Sequence, residues 1–131
     1  MELHAPAARI AAVEAELAQA RGAARTLLLV ELAWHLRQRD SMRALSLSGE
    51  ADAALAADPS LPGARGCRLR LALTRSEVAA LFCRVDEAED WLACARRDER
   101  ADANGRVDTL LAEIQVAKAR GERERAFDAA G

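Results

Sequence analysis

Polar side chains recur along this sequence at spacings that place them on one side of a helix. Glu31 precedes His35 by four residues, and Gln38 follows three residues later. Residues three and four apart are neighbours on a helix surface, so these side chains form one polar row. A carboxylate, an imidazole and an amide in such a row suit the binding of a charged peptide or a small ligand. The alternative is an ordinary solvated helix face.

Two later stretches carry polar groups that would complete such a site. Arg70, Thr74 and Glu77 repeat the spacing of the first row. The site therefore requires a fold that brings the stretches side by side. Closer to the C-terminus the available polar groups are Glu113, Gln115 and Lys118.

No catalytic constellation can be assembled from the sequence. The second histidine, His4, lies near the N-terminus and gives His35 no partner for a metal site. Ser46 and Ser48 have no histidine at a spacing that would activate them. Residues 63–66 lack the lysine and the preceding strand of a phosphate-binding loop. We therefore predict a protein that is not an enzyme and has no cofactor or metal.

The cysteines do not suggest a disulfide framework. Cys67, Cys83 and Cys94 are odd in number, and no CxxC spacing of the kind found in zinc sites occurs. We interpret them as small buried or half-buried residues in a reducing compartment.

Composition narrows the fold class. The chain has 131 residues, enough for one domain, and 51% are hydrophobic although only 3% are aromatic. Alanine, the best helix former and a poor strand former, supplies much of the apolar share. We predict a single all-α domain whose core is built by closely approaching helices.

Charge and hydropathy exclude other classes. Basic and acidic residues are interspersed and sum to a net charge of −2, which argues against a nucleic-acid-binding protein. No run approaches the roughly 18 apolar residues of a membrane span. The N-terminus lacks the basic start and apolar stretch of a signal peptide. We expect a cytoplasmic protein, or a cytoplasmic part of a longer one, without membrane insertion.

The apolar pattern predicts about seven helices around a central hairpin at residues 27–55. The first half of this hairpin is apolar on most of its surface, so other helices must cover it on more than one side. Trp34 and Trp91 are expected to fill the core. A leading segment at 1–22 is followed by helical hairpins at 24–57, 67–102 and 106–131, the last of them incomplete.

Capping and breaking residues define the predicted joints. Asp40 or Ser41 is expected to cap the third helix through its side-chain oxygen. Residues 58–63 contain two prolines and a glycine and predict a loop. We expect Asn104-Gly105 and Gly121 to end helices, with a last short helix beginning at residue 122. Gly49, inside the third helix, is expected to allow a neighbouring helix to pack closely.

Three of the joints can be superimposed as an internal repeat. Ala44, Ala88 and Ala126 occupy equivalent places, 44 and 38 residues apart. A helical hairpin of this type cannot bury its own apolar face, so neighbouring hairpins must stack.

These joints resemble the tetratricopeptide repeat. The family's short turn, an acidic residue followed by alanine and a bulky apolar residue, is clearest in Glu122…Ala126-Phe127 and good in Asp40…Ala44-Leu45. The middle copy departs from it, with Arg84 at the acidic position, and the first spacing exceeds the family period of about 34 residues. The resemblance covers about residues 24–131. It implies a right-handed α-solenoid whose first helices line a concave partner-binding surface bearing the three polar stretches.

A second resemblance rests on the leading helix and two short segments that follow it. The leading helix, the segment Leu32-Ala33-Trp34-His35-Leu36-Arg37 and the following Arg43-Ala44-Leu45-Ser46-Leu47 are similar to the amino-terminal helical region of bacterial diguanylate cyclases, which carry a GGDEF output domain. No GGDEF sequence occurs in these residues, so cyclase activity is not implied for this chain.

The resemblance implies a sensory or protein-interaction module upstream of an output domain. It would act by binding a protein or peptide partner, or by pairing with a second copy. Two alternatives stay open. One is an inducer-binding repeat domain of a transcriptional activator, which predicts a deep pocket with converging polar groups. The other is a stand-alone adaptor. We expect the chain to be part of a longer protein because the short helix bearing Phe127 needs more to pack against.

Overall fold

The computed structural model describes the backbone of residues 5–98 and 103–130, and the side chains of residues 7–97 and 112–125. Within these ranges the chain forms six α-helices and no β-strand, which confirms the predicted all-α class. The helices are α1 Ala5–Gln19, α2 Gly22–Leu36, α3 Ser41–Ala57, α4 Ala64–Leu81, α5 Val85–Asp98 and α6 Ala103–Ala130.

The joints on either side of α3 follow the sequence prediction. The Asp40 carboxylate accepts a hydrogen bond of 3.2 Å from the backbone N–H of Arg43, which confirms the predicted cap. The predicted loop joins α3 to α4 at residues 58–63, and its Gly63 adopts a φ of 83°, a left-handed conformation that suits glycine. Leu61 in this loop is buried in the core, so the loop is tied to the body of the protein.

The structure differs from the prediction near the C-terminus. Gly121 does not end a helix, because α6 continues through it as one helix of 28 residues. The third predicted hairpin at 106–131 therefore has no turn at this glycine, and six helices rather than seven occupy the described ranges. Asn104-Gly105 also lies inside α6, while residues 99–102 lie outside the described residues. A glycine in a helix interior costs only about 1 kcal/mol, which the flanking helix formers offset.

Contacts join consecutive helices and also helices that are two apart in the chain. α1 packs on α2, and α2 also contacts α3 and α4. α4 contacts both α5 and α6, and α5 contacts α6. α3 packs on α4 but not on α5. As a result, α2, α4 and α6 form a contiguous row, and α4 rather than the α2–α3 hairpin touches the largest set of neighbours.

Small residues let these helices approach closely. Ala33, Ala44, Ala51, Ala88 and Ala95 are all 0% exposed, which confirms the predicted alanine-built core. The joint alanines of the first two repeats are among them, whereas the side chain of the third, at position 126, lies outside the described residues.

Larger residues complete two core clusters. Leu32 belongs to the first, which α1, α2, α3 and the first half of α4 form, and Leu73 to the second, which α4, α5, α6 and Trp34 of α2 form. Trp34 is buried in the second cluster and Trp91 is half-buried against it, so only Trp34 fully fills the expected core role. Gly49 differs from its prediction, since it is exposed and a methyl group there would meet no atom within 4 Å.

Candidate functional site

A cleft of about 920 Å³ lies between α2 and the first turns of α4. Its apolar surface comes from the buried side chains of Val30, Trp34 and Leu61, with Leu27 about half exposed at its edge. The cleft is open to solvent on one side, and the loop between α3 and α4 forms part of its rim. Its polar side chains are Glu31, His35, Arg65, Arg68 and Arg70.

Glu31, the one carboxylate among the described residues that line the cleft, is already engaged. Arg9 of α1 binds both oxygens of Glu31, through Nε at 2.5 Å and Nη2 at 2.8 Å. Nε2 of His35 lies 3.2 Å from the same carboxylate. These hydrogen bonds, chiefly that from Arg9, lower the pKa of Glu31 although partial burial opposes the shift. The predicted Glu31–His35 row is therefore real, and its negative charge is neutralised from α1.

Apart from Glu31 and His35, the ionisable side chains among the described polar residues of the cleft are those of arginines. Arg65, Arg68 and Arg70 all line it, in a chain whose net charge is −2. The guanidinium carbon of Arg70 lies 4.5 Å from the centroid of the Trp34 ring, a cation–π arrangement that holds this cation over an aromatic surface. Apolar surface beside concentrated positive charge suits a ligand that carries both an anionic group and an apolar group.

The other predicted residues of α2 and α4 lie outside this cleft. Glu77 is 2% exposed, and its carboxylate accepts from Nε of Arg37 at 2.9 Å and from Nε2 of Gln38 at 3.2 Å. Thr74 is completely buried, and its hydroxyl donates to the backbone oxygen of Arg70 at 2.9 Å. Gln38 and Glu77 thus form an internal link between the end of α2 and α4.

Arg37 is a member of this link that sequence reasoning missed. Its guanidinium carbon lies 3.6 Å from the centroid of the Trp34 ring, and its Nη1 donates to the Trp34 backbone oxygen at 2.7 Å. The spacing of three residues between Trp34 and Arg37 was the available signal, because such residues are helix neighbours.

The α6 residues are placed apart from the cleft. Lys118 and Gln115 line a recess of about 90 Å³ against Ala80 and Leu81 of α4. Glu113 instead accepts from Arg96 of α5 at 3.0 Å. The structure therefore brings Glu31, His35 and Arg70 together, and it leaves Lys118 at a separate surface.

The cysteines occupy three different environments. Cys67 is buried at the cleft wall, and burial raises the pKa of its thiol, which keeps it protonated and unreactive. Cys94 is half-buried, as expected, whereas Cys83 is exposed in the turn after α4 with a φ of 58°. This exposed position differs from the prediction that all three are buried or half-buried.

Comparison of the chain with protein-family models, with curated proteins and with solved structures finds no match. Over the described residues, no group of three or more His, Cys, Asp or Glu side chains is placed to hold a metal ion. No helix in the same ranges combines the length and apolar character needed to cross a membrane. The chemistry of the cleft is therefore the strongest indication of function.

The ion pair on Glu31 has a measurable consequence at acid pH. Because its folded pKa lies below its ordinary value, its stabilising contribution is complete above about pH 4.3 and is lost as pH falls through the folded pKa. We expect Arg9→Gln to flatten the acid-side decline of the unfolding free energy, since the pKa of Glu31 then moves back toward its ordinary value. Urea titrations across this pH range measure the slope.

A matched control for this prediction is Arg39→Gln. Arg39 is exposed in the turn after α2 and lies outside the Arg9–Glu31 pair. This variant should keep the acid-side slope of the unmodified chain. Equal slopes in all three proteins would show that the pair does not contribute to acid sensitivity.

Proposed function

We propose that this chain is a non-catalytic binding module that holds an anionic, partly apolar segment of a protein partner in the cleft between α2 and α4. The observation that carries the proposal is the composition of the cleft. Arg65, Arg68 and Arg70 line it beside an apolar surface, and Glu31, the carboxylate among its described residues, is paired with Arg9. An extended or helical segment with acidic residues would meet complementary charge and bury apolar side chains near Trp34.

The helix contacts support a repeat architecture for this module. α2 contacts α4, and α4 contacts α6. α3 packs on α2 and α4, and α5 packs on α4 and α6, as expected for stacked hairpins of the tetratricopeptide kind. The buried Ala44 and Ala88 support the same interpretation. In such a solenoid the first helices of each pair line the binding surface, and the cleft lies on two of them.

The resemblance of residues 32–37 and 43–47 to diguanylate cyclase regulatory regions suggests the biological setting. In this proposal the chain is the amino-terminal regulatory part of a bacterial cytoplasmic signalling protein. Occupation of the cleft, or pairing with a second copy, would be passed to an output domain. This setting rests on the similarity of these two short segments, and the cleft would provide the surface that recognises the partner.

A second candidate is an inducer-binding domain of a transcriptional activator. The feature that favours it is the Trp34 ring beside Arg70, since an aromatic face with a nearby cation can hold a small aromatic anion. The open side of the cleft favours a protein segment over an enclosed small molecule. Benzoate, a small aromatic anion, separates the two ligand classes. It should displace an acidic peptide from the cleft if the natural ligand is a small aromatic anion, and it should fail to do so if the ligand is a protein segment.

The test uses a fluorescein-labelled peptide of alternating glutamate and leucine, with a lysine–leucine peptide as its matched probe. We expect the acidic peptide to bind and the basic peptide to fail, as measured by fluorescence anisotropy. Arg65→Glu should weaken binding of the acidic peptide by about tenfold, because it reverses a charge at the cleft edge. Raising the salt concentration should weaken it further.

Arg39→Glu is the matched control, since it makes the same charge change at an exposed position outside the cleft. It should leave the peptide affinity unchanged. Equal binding of the acidic and basic peptides, or equal effects of the two substitutions, would contradict the proposal.

A further inference from the structure

A second groove runs along a different face of α4. α3 and α5 both pack on α4 but do not contact each other, so the surface of α4 between them forms a floor with a wall on either side. Two hollows of about 180 Å³ and about 390 Å³ lie along this floor and share Arg75 and Trp91. We call their combined surface the α3–α5 groove.

One end of the α3–α5 groove is apolar. Met42 of α3 is 67% exposed and Phe82 at the end of α4 is 50% exposed, and both line the smaller hollow. Leu45, Val78 and the half-buried ring of Trp91 also line it, together with Arg84 and Glu87, whose opposite charges lie 3.9 Å apart. Large apolar side chains that stay exposed around one hollow are typical of interaction sites.

The other end of the groove is basic. Arg68, Arg75 and Arg97 line the larger hollow, and Asp52 is the carboxylate there. Arg75 forms an ion pair with Asp52, and its guanidinium carbon lies 4.8 Å from the centroid of the Trp91 ring. Arg97 donates from Nη2 to Sγ of Cys94 at 3.0 Å. These contacts hold two of the cations at the groove surface.

Charge along the whole groove differs from that of the chain. Among the described residues, four arginines and two carboxylates line the two hollows, whereas the protein has a net charge of −2. Of the other acids on α5, Glu89 is turned toward α6, where it pairs with Arg120. The groove therefore presents an apolar end and a positive end to a partner.

We propose that the α3–α5 groove binds one amphipathic helix of a protein partner, with bulky apolar residues at the Met42–Phe82 end and acidic residues at the Arg68–Arg97 end. Two helices that lie apart on a common floor leave a slot of the shape that a third helix fills. The apolar anchors and the acidic turn then meet complementary surfaces, as in other helix-in-groove complexes.

A second copy of this chain is a poorer occupant. Over the described side chains, the large apolar residues exposed outside the groove are Leu27, Leu81 and Ile114. They lie on three different helices, α2, α4 and α6. Within the described side chains, none of these helices presents a row of exposed apolar anchors next to acidic residues, which favours a helix of a partner protein as the occupant.

The groove and the cleft are separate surfaces. α4 presents Cys67 and Arg70 to the cleft, and it presents Arg75 and Val78 to the groove. Arg68 borders both. The inference therefore does not depend on the proposed role of the cleft, and the test uses substitutions that belong to one surface only.

The probe is an alanine-based peptide of about sixteen residues, long enough to populate a helix, with leucines at i, i+4 in its first half and glutamates in its second half. A matched peptide carries lysines in place of the glutamates. We expect anisotropy titrations to show binding of the glutamate peptide only. Arg97→Glu and Phe82→Asp should each weaken it by about tenfold, since one reverses a charge and the other removes an apolar contact.

All these titrations are made in an Arg65→Glu background, in which the cleft is weakened, so that binding of the acidic peptide reports on the groove. Arg39→Glu is the control and should leave the affinity unchanged, because Arg39 does not line the groove. Far-ultraviolet circular dichroism verifies that each variant stays helical. Equal binding of the two peptides, or unchanged binding by both Arg97→Glu and Phe82→Asp, would overturn the inference. Light scattering measures the oligomeric state of the chain and of Phe82→Asp. A dimer that Phe82→Asp converts to a monomer would show that a second copy occupies the groove, and this result would also overturn the inference.

Discussion

Arg37→Ala is expected to lower the free energy of unfolding by about 3–5 kcal/mol, the cost of leaving a buried charge without its ionic partner. Glu77 is 2% exposed, and after the substitution Gln38 would be its remaining hydrogen-bond partner among the described side chains. The variant also loses the contact of the guanidinium with the Trp34 ring and a hydrogen bond of 2.7 Å to the Trp34 backbone oxygen. Urea unfolding followed by circular dichroism measures the difference.

A substitution of the other member of the ion pair provides the control. Glu77→Gln keeps the size of the side chain and an oxygen that accepts from Arg37, whose side chain is 21% exposed and retains its contact with Trp34. Its cost should be smaller, about 1.5–3 kcal/mol, the value of a hydrogen bond to a charged group. A double variant, Arg37→Met with Glu77→Leu, should recover much of the stability, because no charge then stays buried. A loss no greater for Arg37→Ala than for Glu77→Gln would contradict this account.

Leu32→Ala is expected to cost about 2–5 kcal/mol, since it opens a cavity at a completely buried position of α2. Such a loss is a large part of the total stability of about 5–15 kcal/mol that is usual for folded domains. Met42→Ala is the matched control: it also shortens an apolar side chain, but Met42 is 67% exposed and its loss should stay within about 0.5 kcal/mol. Urea titrations of the two variants give both values.

Leu73→Ala extends the same experiment to the second core cluster. Leu73 is completely buried there, whereas Leu32 belongs to the first cluster. Because α4 contributes to both clusters, each substitution should shift one common unfolding transition. Circular dichroism and tryptophan fluorescence should give the same midpoint. Two separate transitions would show that the clusters unfold independently.

Most of the fold class followed from local features. Helix periodicity, the Asp40 cap and the loop at residues 58–63 depend on residues close together in the chain, and the structure has all three. The alanine content correctly predicted a core of closely packed helices, since small side chains set the distance between helix axes. Gly121 was harder to judge, because a glycine permits a break without requiring one.

Tertiary structure decided what the polar residues do. The sequence placed Glu31, His35 and Gln38 in one row and Arg70, Thr74 and Glu77 in another, and helix geometry alone supports both rows. The way α2 and α4 pack buries Thr74 and Glu77 and draws Gln38 toward Glu77, away from the cleft. The packing of α1 on α2 brings Arg9 onto Glu31. These outcomes depend on contacts between residues far apart in sequence, which periodicity does not specify.

The sequence by itself therefore determined the helical class, the capping of α3 and the small-residue core, because each is a property of a short segment. Only the tertiary structure decided that α6 is continuous, that arginines outnumber acids among the described residues of the cleft, and that α3 and α5 stand apart on α4. The physical reason is that surfaces and buried charges arise where distant segments meet, and their free energy depends on burial and distance rather than on spacing along the chain.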